Sequence, residues 1–140
     1  MEQPKAYRQS ETYQNADAAA RKVLEQYRKE QKLNDEQMNW QMYLEDLRAT
    51  PKEQKQKGNR PAEMLVLGAM VTFLLAANMG VRSFMLIASV FFIIAAAFYL
   101  TGVLNPYSTG IRKAKKQLKK SCPGVLSYRE WIKLKNKADN

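Results

Sequence analysis

The sequence has no histidine and a single cysteine, Cys122. One thiol excludes an intrachain disulfide, and without imidazole a zinc centre of the usual ligand types is excluded as well. No Asn-x-Ser/Thr acceptor occurs, since Asn105 is followed by Pro106 and Tyr107. Acidic residues are missing altogether between Glu63 and Glu130. The serines and threonines are scattered without a motif, and Cys122 has no neighbouring base. No enzyme is therefore expected: no catalytic residue, cofactor, metal or small-molecule substrate is assigned. No apolar run precedes Met64 that could serve as a secretory signal. Glu2, Glu11, Asp17 and Glu25 interrupt the basic residues that a mitochondrial presequence would need. Targeting is expected to lie in the internal apolar block.

That block, Met64 to Leu104, is what the chain has most distinctively. It sits between strongly polar tails in a sequence of 140 residues with a net charge of +10. No Asp, Glu, Lys or Arg lies between Met64 and Val81, or between Ser83 and Ile111. As one helix the block would extend about 60 Å, twice the ~30 Å core of a bilayer. The interruption Asn78-Met79-Gly80-Val81-Arg82-Ser83 places a glycine and a charge where a turn belongs. The expected fold is an all-α membrane protein: a two-pass transmembrane helical hairpin over 59–104, with spans at 62–79 and 83–104, and amphipathic helical N- and C-terminal arms.

Basic residues set the expected orientation. Lys52, Lys55, Lys57 and Arg60 precede the first span, and a lysine-rich stretch follows the second, whereas the turn carries only Arg82. The positive-inside rule then gives an integral multi-pass protein with both termini cytosolic, or on the matrix or stromal side. Short spans favour the endoplasmic reticulum or an organellar inner membrane, with a bacterial inner membrane still open. Basic charge without an aromatic-basic binding module gives no reason to expect nucleic acid as a partner.

The arms have their own patterning. Residues 1–14 read as a flexible tail. Over 15–58, expected as a cytosol-side amphipathic arm, Ala16, Ala20, Val23, Leu24 and Tyr27 share a helical face. Asn34 and Gln37 form a capping box, with Leu33 and Met38 as a hydrophobic staple. Trp40, Tyr43, Leu44 and Leu47 then mark the apolar side of a second helix. Asn59 is expected to cap the first span. In 105–140, Asn105-Pro106 stops the second span. A basic juxtamembrane helix follows, with Ile111, Ala114 and Leu118 on one side. Ser127 and Glu130 cap a short C-terminal amphipathic helix carrying Trp131, Ile132 and Leu134. Apolar residues in these flanks are too thinly spaced to predict a large shared core.

Three groups of residues are candidates for function. Gly68, Thr72, Ala76 and Gly80, with Ala88, Ala95 and Gly102, form small-residue stripes suited to close helix packing, within the hairpin or against another membrane protein. Arg112, Lys113, Lys115, Lys116, Lys119 and Lys120 are expected to contact anionic lipid. Tyr27, Trp40, Tyr43, Leu44, Leu47, Trp131 and Ile132 are expected to dock on a partner, unless the N-terminal helices fold on each other. Cys122, near the basic stretch, is a weak acylation signal. The expected function is a non-catalytic integral membrane adaptor, accessory subunit or assembly factor of a larger complex. Its expected partners are the lipid bilayer, other membrane protein subunits and anionic lipids. A self-assembling membrane-shaping hairpin is the alternative, and a holin-like pore former the third.

Overall fold

The computed structural model describes residues 3–140 and is all-helical, with no strand among the described residues. A 3-10 turn at Tyr7–Gln9 precedes α1 (Glu11–Gln14), α2 (Ala18–Glu30), α3 (Asp35–Ala49) and α4 (Lys52–Lys57). Then come α5 (Arg60–Met79), α6 (Arg82–Thr101), α7 (Pro106–Ser121) and α8 (Tyr128–Ala138). These form two compact units. One comprises the chain up to Ala49 together with Gly110–Asn140; the other is Thr50–Thr109. The second is an insertion in the sequence of the first.

The first unit corrects the expectation that the flanks lack a common core. Tyr7, Leu24, Tyr27, Leu33, Met38, Trp40, Met42, Leu44, Ala114, Leu118, Cys122 and Trp131 form one buried cluster. No single helix supplies enough apolar surface, but stripes from α2, α3, α7 and α8 converge and four of the clustered side chains, Tyr7, Tyr27, Trp40 and Trp131, are aromatic rings of large area. The helix α3 is the centre of the unit. Beyond its expected face it buries Met38, Met42, Gln41 and Glu45. The Asn34–Gln37 box is reciprocal, with Gln37 N donating to Asn34 Oδ1 at 2.8 Å and Asn34 N to Gln37 Oε1 at 3.0 Å. Ser127 and Glu130 make the equivalent box on α8.

Residues 7–14 are also ordered rather than a loose tail. Tyr7 is buried, its backbone N donates to Asn39 Oδ1 at 2.6 Å, and Asp46 accepts from the backbone N of Thr12 at 2.8 Å. Polar side chains of α3 thus satisfy the free amides of the leading turns, a pairing across more than thirty residues that local pattern cannot show.

The second unit is built on an antiparallel pair, α5 and α6, both long and apolar enough to cross a membrane by length and composition. Gly80 ends α5 in the left-handed region (φ 67) and Val81 opens α6, so two residues make the turn. Gly102 (φ 63) ends α6 at Thr101, short of the expected 104, because a left-handed residue breaks the ladder. Asn59 does not cap α5 with its side chain; that side chain is engaged by Asn105 instead.

Candidate functional site

The seam between α5 and α6 differs from the expected stripe. Ala62, Ala69 and Ala76 on α5 and Ala88 and Ala95 on α6 are buried. Their spacing of seven is the period of a left-handed helix pair, and alanine lets the backbones approach closely. Of the predicted face, Ala76, Ala88 and Ala95 therefore lie in the seam. Gly68 and Thr72 do not: both are exposed, and a β-carbon on Gly68 would meet nothing within 4 Å. The Thr72 hydroxyl donates along its own helix, to Gly68 O at 2.8 Å. Gly80 and Gly102 act as helix stops rather than packing positions. An apolar hollow of about 380 Å³, bordered by Met70, Phe73, Ser89 and Phe92, lies along the pair.

At the base of the second unit Asn105 is 95% buried and fully engaged. Its Nδ2 donates to Lys55 O at 3.0 Å and to Asn59 Oδ1 at 2.8 Å, and its Oδ1 accepts from Tyr107 N at 3.0 Å. The sequence marks Asn105 only as a helix stop, and nothing local reveals that it fastens the chain entering α5.

The residues expected to dock on a partner are largely used inside the first unit. Tyr27 is fully buried, stacks edge-on with Tyr128, lies tilted on Trp131, and donates from its hydroxyl to Leu126 O at 2.7 Å. Trp131 donates from Nε1 to Glu30 Oε2 at 2.8 Å. Leu44 and Trp40 are buried as well, while Tyr43, Leu47 and Ile132 are partly covered. Most of these side chains meet each other inside the unit. Glu45, unremarked in the sequence, is buried between Arg48 Nη1 at 3.0 Å and Arg129 Nε at 2.9 Å. It ties α3 to α8.

Cys122 belongs to the same core. Burial pushes its thiol above the ordinary range, so little thiolate forms at neutral pH and the side chain is poorly placed for acylation.

The basic residues of α7 are divided by the buried line Ala114–Leu118. Lys115 and Lys119 border a hollow of about 440 Å³ with Gln41, Arg48 and Cys122. Lys113, Lys116 and Lys120 border an open groove of about 710 Å³ with Trp40. Gln41 is buried and its Oε1 has no hydrogen-bond partner among the described residues. Among the described residues no group of His, Cys, Asp and Glu could hold a metal ion. No family model matches the chain, and no curated protein or solved structure matches it.

Proposed function

We propose that the chain is a two-pass integral membrane protein, with both flanks on the cytosolic, matrix or stromal side, acting as a non-catalytic accessory or assembly subunit. The apolar lengths of α5 and α6, the lone Arg82 at their turn and the basic residues on either side support that placement. One observation carries the role. The alanine seam closes the hairpin on itself, so the Gly68–Thr72 face is left open for a second helix of another protein. In lipid, helices associate by close packing rather than by apolar burial, and the open position at Gly68 is suited to that. The absence of charges within α5 beyond Glu63 and within α6 beyond Arg82 gives no ion pathway to work with.

Membrane shaping by the tail helices stands second, because Trp131 would have to reach lipid and is only 5% exposed within its own unit. Pore formation has no observation in its favour. Purification in mild detergent tests the leading reading. The wild-type chain should carry a stoichiometric membrane partner, Gly68→Leu should lose it while the hairpin stays folded, and Ala95→Leu should disturb the hairpin itself by overpacking. A chain that always runs alone would defeat the proposal.

A further inference from the structure

The groove along α7 concentrates positive charge in a way the stretch as a whole does not. Lys113, Lys116 and Lys120 recur at helical spacing, so their ammonium groups line one wall. None of the three is paired with a carboxylate among the described residues. Facing them are the apolar surfaces of Trp40 and Pro4, with the amides of Asn39 and Gln117 alongside. Asn39 Oδ1 already accepts from Tyr7 N, which leaves its amide N–H groups to donate. Among the described residues Glu36 is the one acid on the rim. Cations, amide donors and an apolar wall together are complementary to a phosphate joined to a less polar body. A volume of about 710 Å³ lies in the range of sites that enclose small organic groups.

We propose that this groove is a headgroup site for an anionic phospholipid. The proposal rests on the membrane placement above and identifies which of the basic residues would serve it. An acidic peptide offers the same charge, but a chain anchored by α5 and α6 meets phospholipid at far higher local concentration. The segment from Thr101 to Lys113 cannot exceed roughly 30 Å whichever way the unit turns. The other basic row, Lys115 and Lys119, has no part in the site.

The two rows provide the test, because each can lose the same charge. Protein purified in zwitterionic detergent is mixed with phosphatidylglycerol or phosphatidylcholine, and bound lipid is counted by native mass spectrometry. Wild type should retain phosphatidylglycerol in preference. The Lys113→Gln/Lys116→Gln pair should weaken that retention about tenfold or more, and Lys115→Gln/Lys119→Gln should leave it unchanged. Equal losses in both pairs would mean diffuse attraction and would overturn the site. So would release of the lipid by inorganic phosphate or by an acidic peptide, which would assign the groove to either of those instead. Carbonate extraction of membranes, run in parallel, separates the two levels. Chain released by carbonate refutes the membrane placement, whereas retained chain with an unselective groove refutes the groove alone.

Discussion

The side-chain oxygen of Asn105 lies 2.7 Å from the point where a β-carbon on Gly58 would stand. Glycine at 58 therefore makes room for the clasp through which Asn105 holds Lys55 and Asn59. A net hydrogen bond contributes about 1 kcal/mol, and leaving its buried partner unpaired costs more. Asn105→Ala should accordingly destabilise the base of the hairpin by about 2–3 kcal/mol. Gly58→Ala should act in the same direction by displacing the carboxamide. Trypsin cleavage at Lys55 and Lys57 is the readout: both variants should be cut faster than wild type. Unchanged cleavage in Asn105→Ala would show that the clasp contributes nothing.

The parts of this structure that obey a local period are those legible in the sequence. Two apolar helices, the glycine turn between them and both capping boxes follow from spacing and residue type within a few positions. The alanine seam was legible in principle, since Ala62, Ala69 and Ala76 recur every seventh residue, but the fourfold spacing of Gly68, Thr72 and Ala76 competes with it. Glycine and threonine look like packing residues by size, yet the turn at Gly80–Val81 fixes which side of α5 meets α6. The shared core was not legible, because Tyr27 meets Trp131 across the whole inserted hairpin. Nor could α3 be identified as central, because its buried Gln41 and Glu45 read as solvated polar positions until Arg129 arrives from α8 to pair with the carboxylate.

Lys32 carries a positive φ of 51°, the one non-glycine residue to do so among the described residues. It follows the last turn of α2, where Leu33 N donates back to Arg28 O at 3.0 Å, so the left-handed position is needed to end the helix. A β-carbon there costs about 1 kcal/mol, partly offset by the greater freedom of glycine in the unfolded chain. Lys32→Gly should raise stability by about 0.5 kcal/mol in denaturant titration. Lys32→Ala should not, since it keeps the β-carbon.

Alkaline pH should weaken the first unit. Burial raises Tyr27, Tyr128 and Cys122 above their ordinary ranges. The folded chain therefore keeps protons that the unfolded chain has released. Between the ordinary and the raised values the unfolded state binds fewer protons, so stability is complete below the ordinary thiol and phenol ranges and falls as pH rises through them. Circular dichroism should show helix loss steepening above about pH 10, with Tyr128→Phe flattening the dependence. Tyrosine absorbance titrating at its ordinary pH without helix loss would contradict the burial.

Trp131 offers the sharpest test that the two flanks are one folding unit. Its ring lies against Tyr27 of α2 and Tyr128 of its own helix, and its indole N–H is held by Glu30. Truncating a buried tryptophan typically costs about 3–5 kcal/mol through the cavity it leaves. If α2 and α3 stood as an independent arm, Trp131→Ala would loosen only α8. With a shared core, amide exchange should accelerate together in α2, α3 and α8, more than a hundred residues apart in sequence at the extremes. Protection in α5 and α6 should stay unchanged, because their buried alanines form a separate contact set. Trp131→Phe, which keeps most of the ring volume but loses the bond to Glu30, should give a smaller effect of the same pattern. Exchange that rises in α8 alone would restore the picture of separate arms.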